Sequence, residues 1–286
     1  MAHILRLRGV EQFHDPRGWG LFRLALHRLQ QEQLAFKKDP LPESELMLNH
    51  LSDDVPYVRL AKDAQEVSKI CARGRELTGR LTGGNLQAEE IMDLVREMHN
   101  LDQSLVKCRQ GSEWSFDIRK TADLHGEVQV LSTFPEHIEL HADVWNAYEW
   151  NYHRTARILM HQQLIACLHQ AASVTMDFER YSHDAAIVGP LEEESTRTIR
   201  NLANRVLSTV PQMLGDIDHS GRVRRLDTSP PRSRAIGAYF LLWPVKIIKG
   251  IQSNCSQDQK VAAQAVFERI REYTGMKSHL GDLSIV

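Results

Sequence analysis

The segment 235–251, AIGAYFLLWPVKIIKGI, places lysines inside an otherwise apolar helix. It is hydrophobic on every side, which is typical of a buried helix. At about 100° per residue, Lys249 shares a face with Leu242 and Val245. Its ammonium therefore either reaches water along its aliphatic stem or needs an anionic partner. A cation beside an apolar wall suits a ligand with a charged head and an apolar tail.

A second segment, 135–172, contains ADVWNAYEWNYHRTARILMHQQLI and has two unlike faces. One face is apolar, and the other carries a polar stripe of Asp143, Asn146, Arg154, Arg157 and His161. This stripe either faces water or supplies groups to a site. Asn151 lies at the edge of the apolar face, where its amide needs a buried partner. That amide is either a structural contact or a ligand for a metal or phosphate.

The elements that must position these residues are helices. Apolar residues recur at three- and four-residue spacing in the segments 21–36, 58–81, 88–106, 138–172, 195–214, 235–251 and 259–273. Only EVQVL, at 127–131, alternates like a strand. Intervening stretches such as TGGN and VGPLEEES predict helix ends. We therefore predict an all-α fold: a single globular helical domain over 1–286, of about ten helices, with the Trp-Pro helix 235–251 buried at its centre.

Composition excludes several classes of protein. The chain has 286 residues and a formal net charge of −2, which argues against a protein that mainly coats nucleic acid. Its longest apolar run is about a dozen residues, whereas a membrane-spanning helix needs about 20. The N-terminus lacks a signal-peptide pattern, so we expect a cytoplasmic protein without a membrane span. The cysteines are too far apart in sequence for a zinc-binding or redox pair: Cys71, Cys108, Cys167 and Cys255.

Three motifs follow one another in the C-terminal half. A W-N-x-x-R-x-x-R-I motif occupies 150–158, L-L-W-P-V occupies 241–245, and an E-R-I run ending in Gly-Met occupies 268–276. In this order they resemble the C-terminal regulatory domain of fungal binuclear zinc-cluster transcription factors. The resemblance is clear over 134–286 and weak over 1–133, and it implies an all-helical fold. The family's N-terminal cluster of six cysteines has no counterpart here, so direct DNA binding is not expected.

The same scaffold includes an enzymatic branch, the humulene synthases of fungal tropolone sesquiterpenoid pathways, which resemble the regulatory domain without its zinc cluster. The resemblance implies cyclisation of farnesyl diphosphate with Mg²⁺ and a lysine on the Trp-Pro helix that binds the diphosphate. Lys249, five residues after Pro244, looks like that lysine. Val245, one turn before it, would then shape the prenyl chain.

A cyclase of this kind ionises an allylic diphosphate, so it needs cations, oxygen ligands for Mg²⁺ and an aromatic, water-poor pocket. The candidate diphosphate-binding residues are Lys249, Arg154, Arg157 and Arg234. The candidate magnesium ligands are Asp143, Asn146 and Asn151. The candidate prenyl-chain pocket consists of Val245, Leu242, Phe240, Trp243, Tyr148 and Trp150.

The usual terpene-cyclase signatures are missing. The only adjacent aspartates, Asp53 and Asp54, lie in a loop and lack a third carboxylate one turn on. Asn100 and Ser104 have helical spacing, but Cys108 stands where a glutamate would complete a metal triad. The alternative function is therefore a zinc-cluster-free, regulator-like protein that binds a small ligand or a protein partner. For either function a homodimer is a further expectation.

Overall fold

The structure is a computed structural model that describes residue 9 and residues 13–80, 85–109, 111–124, 135–174, 178–223 and 232–274. Within these ranges, eight helices of eight residues or more account for most of the chain. They are α1 (Pro16–Phe36), α2 (Pro42–Asn49), α3 (Pro56–Gly79), α4 (Asn85–Lys107), α5 (Val144–Val174), α6 (Phe178–Ser208), α8 (Arg232–Lys249) and α9 (Gln257–Thr274), with a four-residue helix, α7 (Val210–Met213), between α6 and α8. The antiparallel strands β1 (Asp117–Lys120) and β2 (His137–Leu140) form a small sheet. The all-α prediction is confirmed.

Two predicted helix boundaries were wrong, and the described residues contain fewer helices than the expected ten. The stretch VGPLEEES does not end a helix, because α6 continues through Pro190. The segment 138–172 does not begin as a helix, because 137–140 pair as β2 and α5 starts only at Val144. The predicted strand 127–131 lies outside the described residues.

The chain forms two compact units: Met1–Cys108 with Leu159–Ser195, and Arg109–Ile158 with Thr196–Val286. Of the three divisions along the chain, one follows α4 after Cys108, and the other two fall inside α5 and α6. The expectation of a single domain over 1–286 stays a prediction. None of the described helices combines the length and the apolar character that a membrane span requires.

The first unit is built on α1, α2 and α3. Asp15 caps α1 by accepting a hydrogen bond from the Gly18 backbone N–H at 2.8 Å, and Pro16 supplies a backbone torsion suited to the first helical position. The buried apolar faces of these helices meet in one core of Phe22, Leu26, Leu29, Met47, Leu48, Tyr57, Val58 and Ala61.

The second unit contains the Trp-Pro helix as α8. One side of α8 is buried, with Ala238, Leu241, Val245 and Ile248 fully inaccessible. The predicted burial on every side was wrong, because Ile236 and Tyr239 on the other side are about half exposed. Its contact with α7 is close at Gly237, where a Cβ atom would stand 1.9 Å from the carbonyl oxygen of Met213. Only glycine fits at that position without displacing backbone. This contact positions α8 against α7.

Candidate functional site

A buried ionic cluster forms around Glu139 in the second unit. The Arg154 guanidinium of α5 donates from Nη2 to Glu139 Oε2 at 2.7 Å, and the two residues are only 2% and 1% exposed. Arg205 of α6 contacts the other carboxylate oxygen through its Nε. His141 Nε2 lies 3.2 Å from Glu139 Oε2. We call Glu139, His141, Asn151, Arg154 and Arg205 the Glu139 cluster.

Arg154 makes further contacts inside the protein. Its Nη1 donates to the backbone oxygen of Arg205 at 3.1 Å and to Asn151 Oδ1 at 3.3 Å. The guanidinium also lies over the Trp150 ring, 4.9 Å from its centroid. Both terminal nitrogens therefore already donate to protein groups, and the charge packs against an aromatic face.

The pKa values in the cluster follow from burial and from the neighbouring charges. Burial opposes ionisation of Glu139, but the hydrogen bond with His141 and the charges of Arg154 and Arg205 outweigh it and lower the pKa of this carboxyl. Burial lowers the pKa of Arg154 to about 10, although Glu139 opposes the shift. Burial also lowers the pKa of His141. At neutral pH, Arg154 and Glu139 thus form a charged pair beside a neutral imidazole.

Two of the three candidate magnesium ligands, Asp143 and Asn151, form side-chain hydrogen bonds with protein groups. Asp143 Oδ1 accepts a hydrogen bond from the Asn146 backbone N–H at 2.8 Å, so Asp143 is the N-cap of α5. Asn146 is half-buried, and its side chain opposes the lowering of the His141 pKa that burial causes. Asn151 is fully buried, and its Nδ2 donates to Thr209 Oγ1 at 2.7 Å. Their role as Mg²⁺ ligands stays a prediction.

Groups of metal-ligating side chains are the other way in which the described residues could bind a metal ion. Among those residues, no three or more His, Cys, Asp and Glu side chains are grouped so that they could hold a metal ion.

Lys249 lies at the end of α8 and faces α9. Its Nζ is 4.6 Å from the centroid of the Phe267 ring, and its stem is half-buried. It lines a groove of about 540 Å³ between the end of α8 and one face of α9. The other lining residues are Ile251, Gln257, Lys260, Val261, Gln264, Ala265 and Glu268. This lining includes none of the predicted prenyl-pocket residues.

Part of the predicted prenyl pocket assembles elsewhere, as an aromatic cluster between α5 and α8. The Tyr148 and Phe240 rings stack with centroids 4.1 Å apart, and Trp243 packs on Tyr152 at 5.4 Å. Phe240 precedes Lys249 by nine residues, which puts the two side chains on opposite sides of the helix at about 100° per residue. The structure therefore separates the aromatic wall from the lysine.

The remaining predicted residues take other positions. Trp150 does not belong to this aromatic cluster. Its Nε1 donates to the Trp114 backbone oxygen at 3.0 Å. Val245 is fully buried, whereas Leu242 and Arg157 are half-buried. The side chain of Arg234 lies outside the described residues.

Sequence reasoning missed Glu139, His141, Arg205 and Gln212. The available signal was HIEL, in which an acidic residue stands between two apolar ones, a pattern that is costly unless the acid is paired. Gln212 completes the arrangement because its amide accepts from the His141 N–H at 2.8 Å and donates to the His141 carbonyl at 2.7 Å. It thereby fixes the backbone at the end of β2.

Comparison of the chain with models of protein families, with curated proteins and with solved structures gives no match. The resemblance to the fungal regulatory domain rests on the three motifs alone.

Proposed function

We propose that this chain is a regulator-like binding protein, similar to the regulatory domain of fungal zinc-cluster factors and acting through contact with a partner. The observation that carries the proposal is the internal pairing of Arg154 with Glu139. The W-N-x-x-R motif then stabilises the fold, because Asn151 is hydrogen-bonded to Thr209 and Arg154 to Glu139.

The separation of the candidate catalytic groups supports the same proposal. A cyclase must present cations to the diphosphate and aromatic faces to the carbocation in one water-poor chamber. In this chain Arg154 is neutralised internally, and Lys249 lies in a groove on the other side of α8 from Phe240. A partner-binding role needs no such convergence.

A sesquiterpene cyclase that acts on farnesyl diphosphate is the second candidate function, and the aromatic cluster favours it. Tyr148, Tyr152, Phe240 and Trp243 form a continuous set of rings between two helices, and aromatic faces stabilise cations. The indole N–H of Trp243 is buried without a hydrogen-bond partner among the described residues. A pocket that opened beside these rings would provide the wall that cyclisation requires.

Headspace analysis of the purified protein incubated with farnesyl diphosphate and Mg²⁺ distinguishes the two functions. The regulator-like proposal predicts no hydrocarbon above a heat-inactivated sample. A hydrocarbon that forms with the wild type and is lost in Lys249→Ala would overturn it in favour of the cyclase. Lys246→Ala is the matched control, because Lys246 lies on the same helix about 60° away.

A further inference from the structure

The groove beside Lys249, which we call the α8–α9 groove, exposes apolar side chains on a helical surface. Ile251, just after α8, is 93% exposed, and Val261 on α9 is 59% exposed. Both line the groove, together with Ala265. Apolar side chains grouped in a concave surface mark an interaction site more often than scattered ones do.

The groove also carries positive charge that no carboxylate among the described residues pairs with directly. Lys249 Nζ faces the Phe267 ring, and Lys260 Nζ donates to the backbone oxygen of Ile251 at 2.8 Å. Within the described ranges, neither ammonium forms an ion pair with a carboxylate. Glu268 also lines the groove and accepts a hydrogen bond from Gln264 at 2.8 Å. Two lysines against one glutamate leave the groove positive.

The shape of the groove favours an extended partner over a small molecule. Its α9 wall runs from Gln257 to Glu268, about 16 Å at 1.5 Å per residue. Small-ligand pockets enclose most of the ligand's surface. Most of the residues that line this groove are exposed, so it has the open form of a surface that receives a helix.

We propose that the α8–α9 groove binds an acidic amphipathic helix of a protein partner. Apolar side chains of that helix would pack on Ile251 and Val261, and its flanking carboxylates would pair with Lys249 and Lys260. The proposal rests on the regulator-like function and names the chemistry of the partner that this function needs.

Fluorescence anisotropy of the intact chain with a labelled synthetic peptide tests this proposal. The probe is a peptide of about 15 residues, roughly four helical turns, with leucines on one face and glutamates on the other. A second peptide has the same leucines and lysines in place of the glutamates. We expect saturable binding of the acidic peptide only, and weakening by added salt.

Matched variants identify the surface. Lys249→Glu with Lys260→Glu should weaken binding of the acidic peptide about tenfold or more, by reversing the charge complementarity. The double variant Lys107→Glu with Lys120→Glu changes the net charge by the same amount, but at exposed positions outside the groove. It should bind the acidic peptide like the wild type. Val261→Ser should weaken binding, whereas Leu46→Ser, another exposed apolar residue, should not.

Three outcomes would overturn the proposal: no saturable binding of the acidic peptide, equal binding of the basic peptide, or an equal effect of the two lysine pairs. If the acidic peptide does not bind and no hydrocarbon forms from farnesyl diphosphate, only the proposal of an acidic-helix partner is excluded. If the wild type forms a hydrocarbon and Lys249→Ala does not, the regulator-like function itself is excluded. The failure of one proposal can therefore be told from the failure of the other.

Discussion

Arg154 of α5 donates to the Glu139 carboxylate of β2 across 2.7 Å, with both side chains almost inaccessible to water. Burying two charges is costly, and the cost is recovered only when the pair is intact and hydrogen-bonded. Removing one partner leaves the other charge buried and uncompensated. The pair therefore makes the second unit depend on a contact between a strand and a helix.

Glu139→Gln should lower the free energy of unfolding by about 3–5 kcal/mol, because it leaves Arg154 buried without a counter-ion. Urea denaturation followed by circular dichroism measures the change. The control is Glu66→Gln, which removes an exposed carboxylate 3.0 Å from Lys69 and should cost no more than about 1 kcal/mol. Equal effects of the two substitutions would show that the buried pair is not required.

Asp143→Ala should destabilise the protein by about 1 kcal/mol, because it removes the oxygen that caps α5. Asp143→Ser should recover most of the loss, since a hydroxyl oxygen also accepts the Asn146 N–H. Thermal unfolding of the three proteins measures the effect. A serine variant as unstable as the alanine variant would contradict the capping role.

Gly237→Ala should destabilise the protein by about 2–3 kcal/mol or more, because the added methyl meets the Met213 backbone and α8 must move from α7. Gly20→Ala in α1 is the control, since a Cβ there meets nothing within 4 Å. It should raise stability by about 0.5–1 kcal/mol. Urea midpoints compare the two, and a neutral Gly237→Ala would contradict the close contact of α7 and α8.

Much of the helical fold could be predicted from the sequence, because each helix carries its own period of apolar residues. Predicted segments such as 58–81 and 88–106 coincide with α3 and α4 to within a few residues. The continuation of α6 through Pro190 could not be predicted, since proline removes a donor and its tolerance depends on tertiary contacts.

The Glu139 cluster shows why the site was harder to predict than the helices. Glu139 lies on a four-residue strand, and Arg205, which contacts it, is far away in the sequence. Local periodicity contains no information about such a pairing. The sequence did indicate that Asn151 needs a buried partner, and the structure identifies that partner as Thr209.

Acidification should reduce stability through buried histidines. Burial, aided by the charge of Arg23, lowers the pKa of His27 from 6.5 to about 3. Below about pH 6.5 the unfolded chain therefore binds a proton that the folded chain excludes, and stability falls until about pH 3. The lowered pKa of His141 acts in the same direction.

His27→Gln should reduce the slope of unfolding free energy against pH, by up to about 1.4 kcal/mol per pH unit between pH 6 and pH 4. Urea titrations at a series of pH values measure this slope. His50→Gln, at an exposed position, is the matched control and should retain the wild-type slope. An unchanged slope in His27→Gln would contradict the exclusion of a proton from the folded chain.

We propose that Arg154 and Asn151 serve the fold and do not take part in holding a diphosphate and its Mg²⁺. The most direct test is the urea midpoint of the wild type with and without farnesyl diphosphate and Mg²⁺. A ligand of the native state at 100 times its Kd adds about 2.7 kcal/mol to the free energy of unfolding. We predict an unchanged midpoint, whereas a rise that disappears in Lys249→Ala would contradict this proposal.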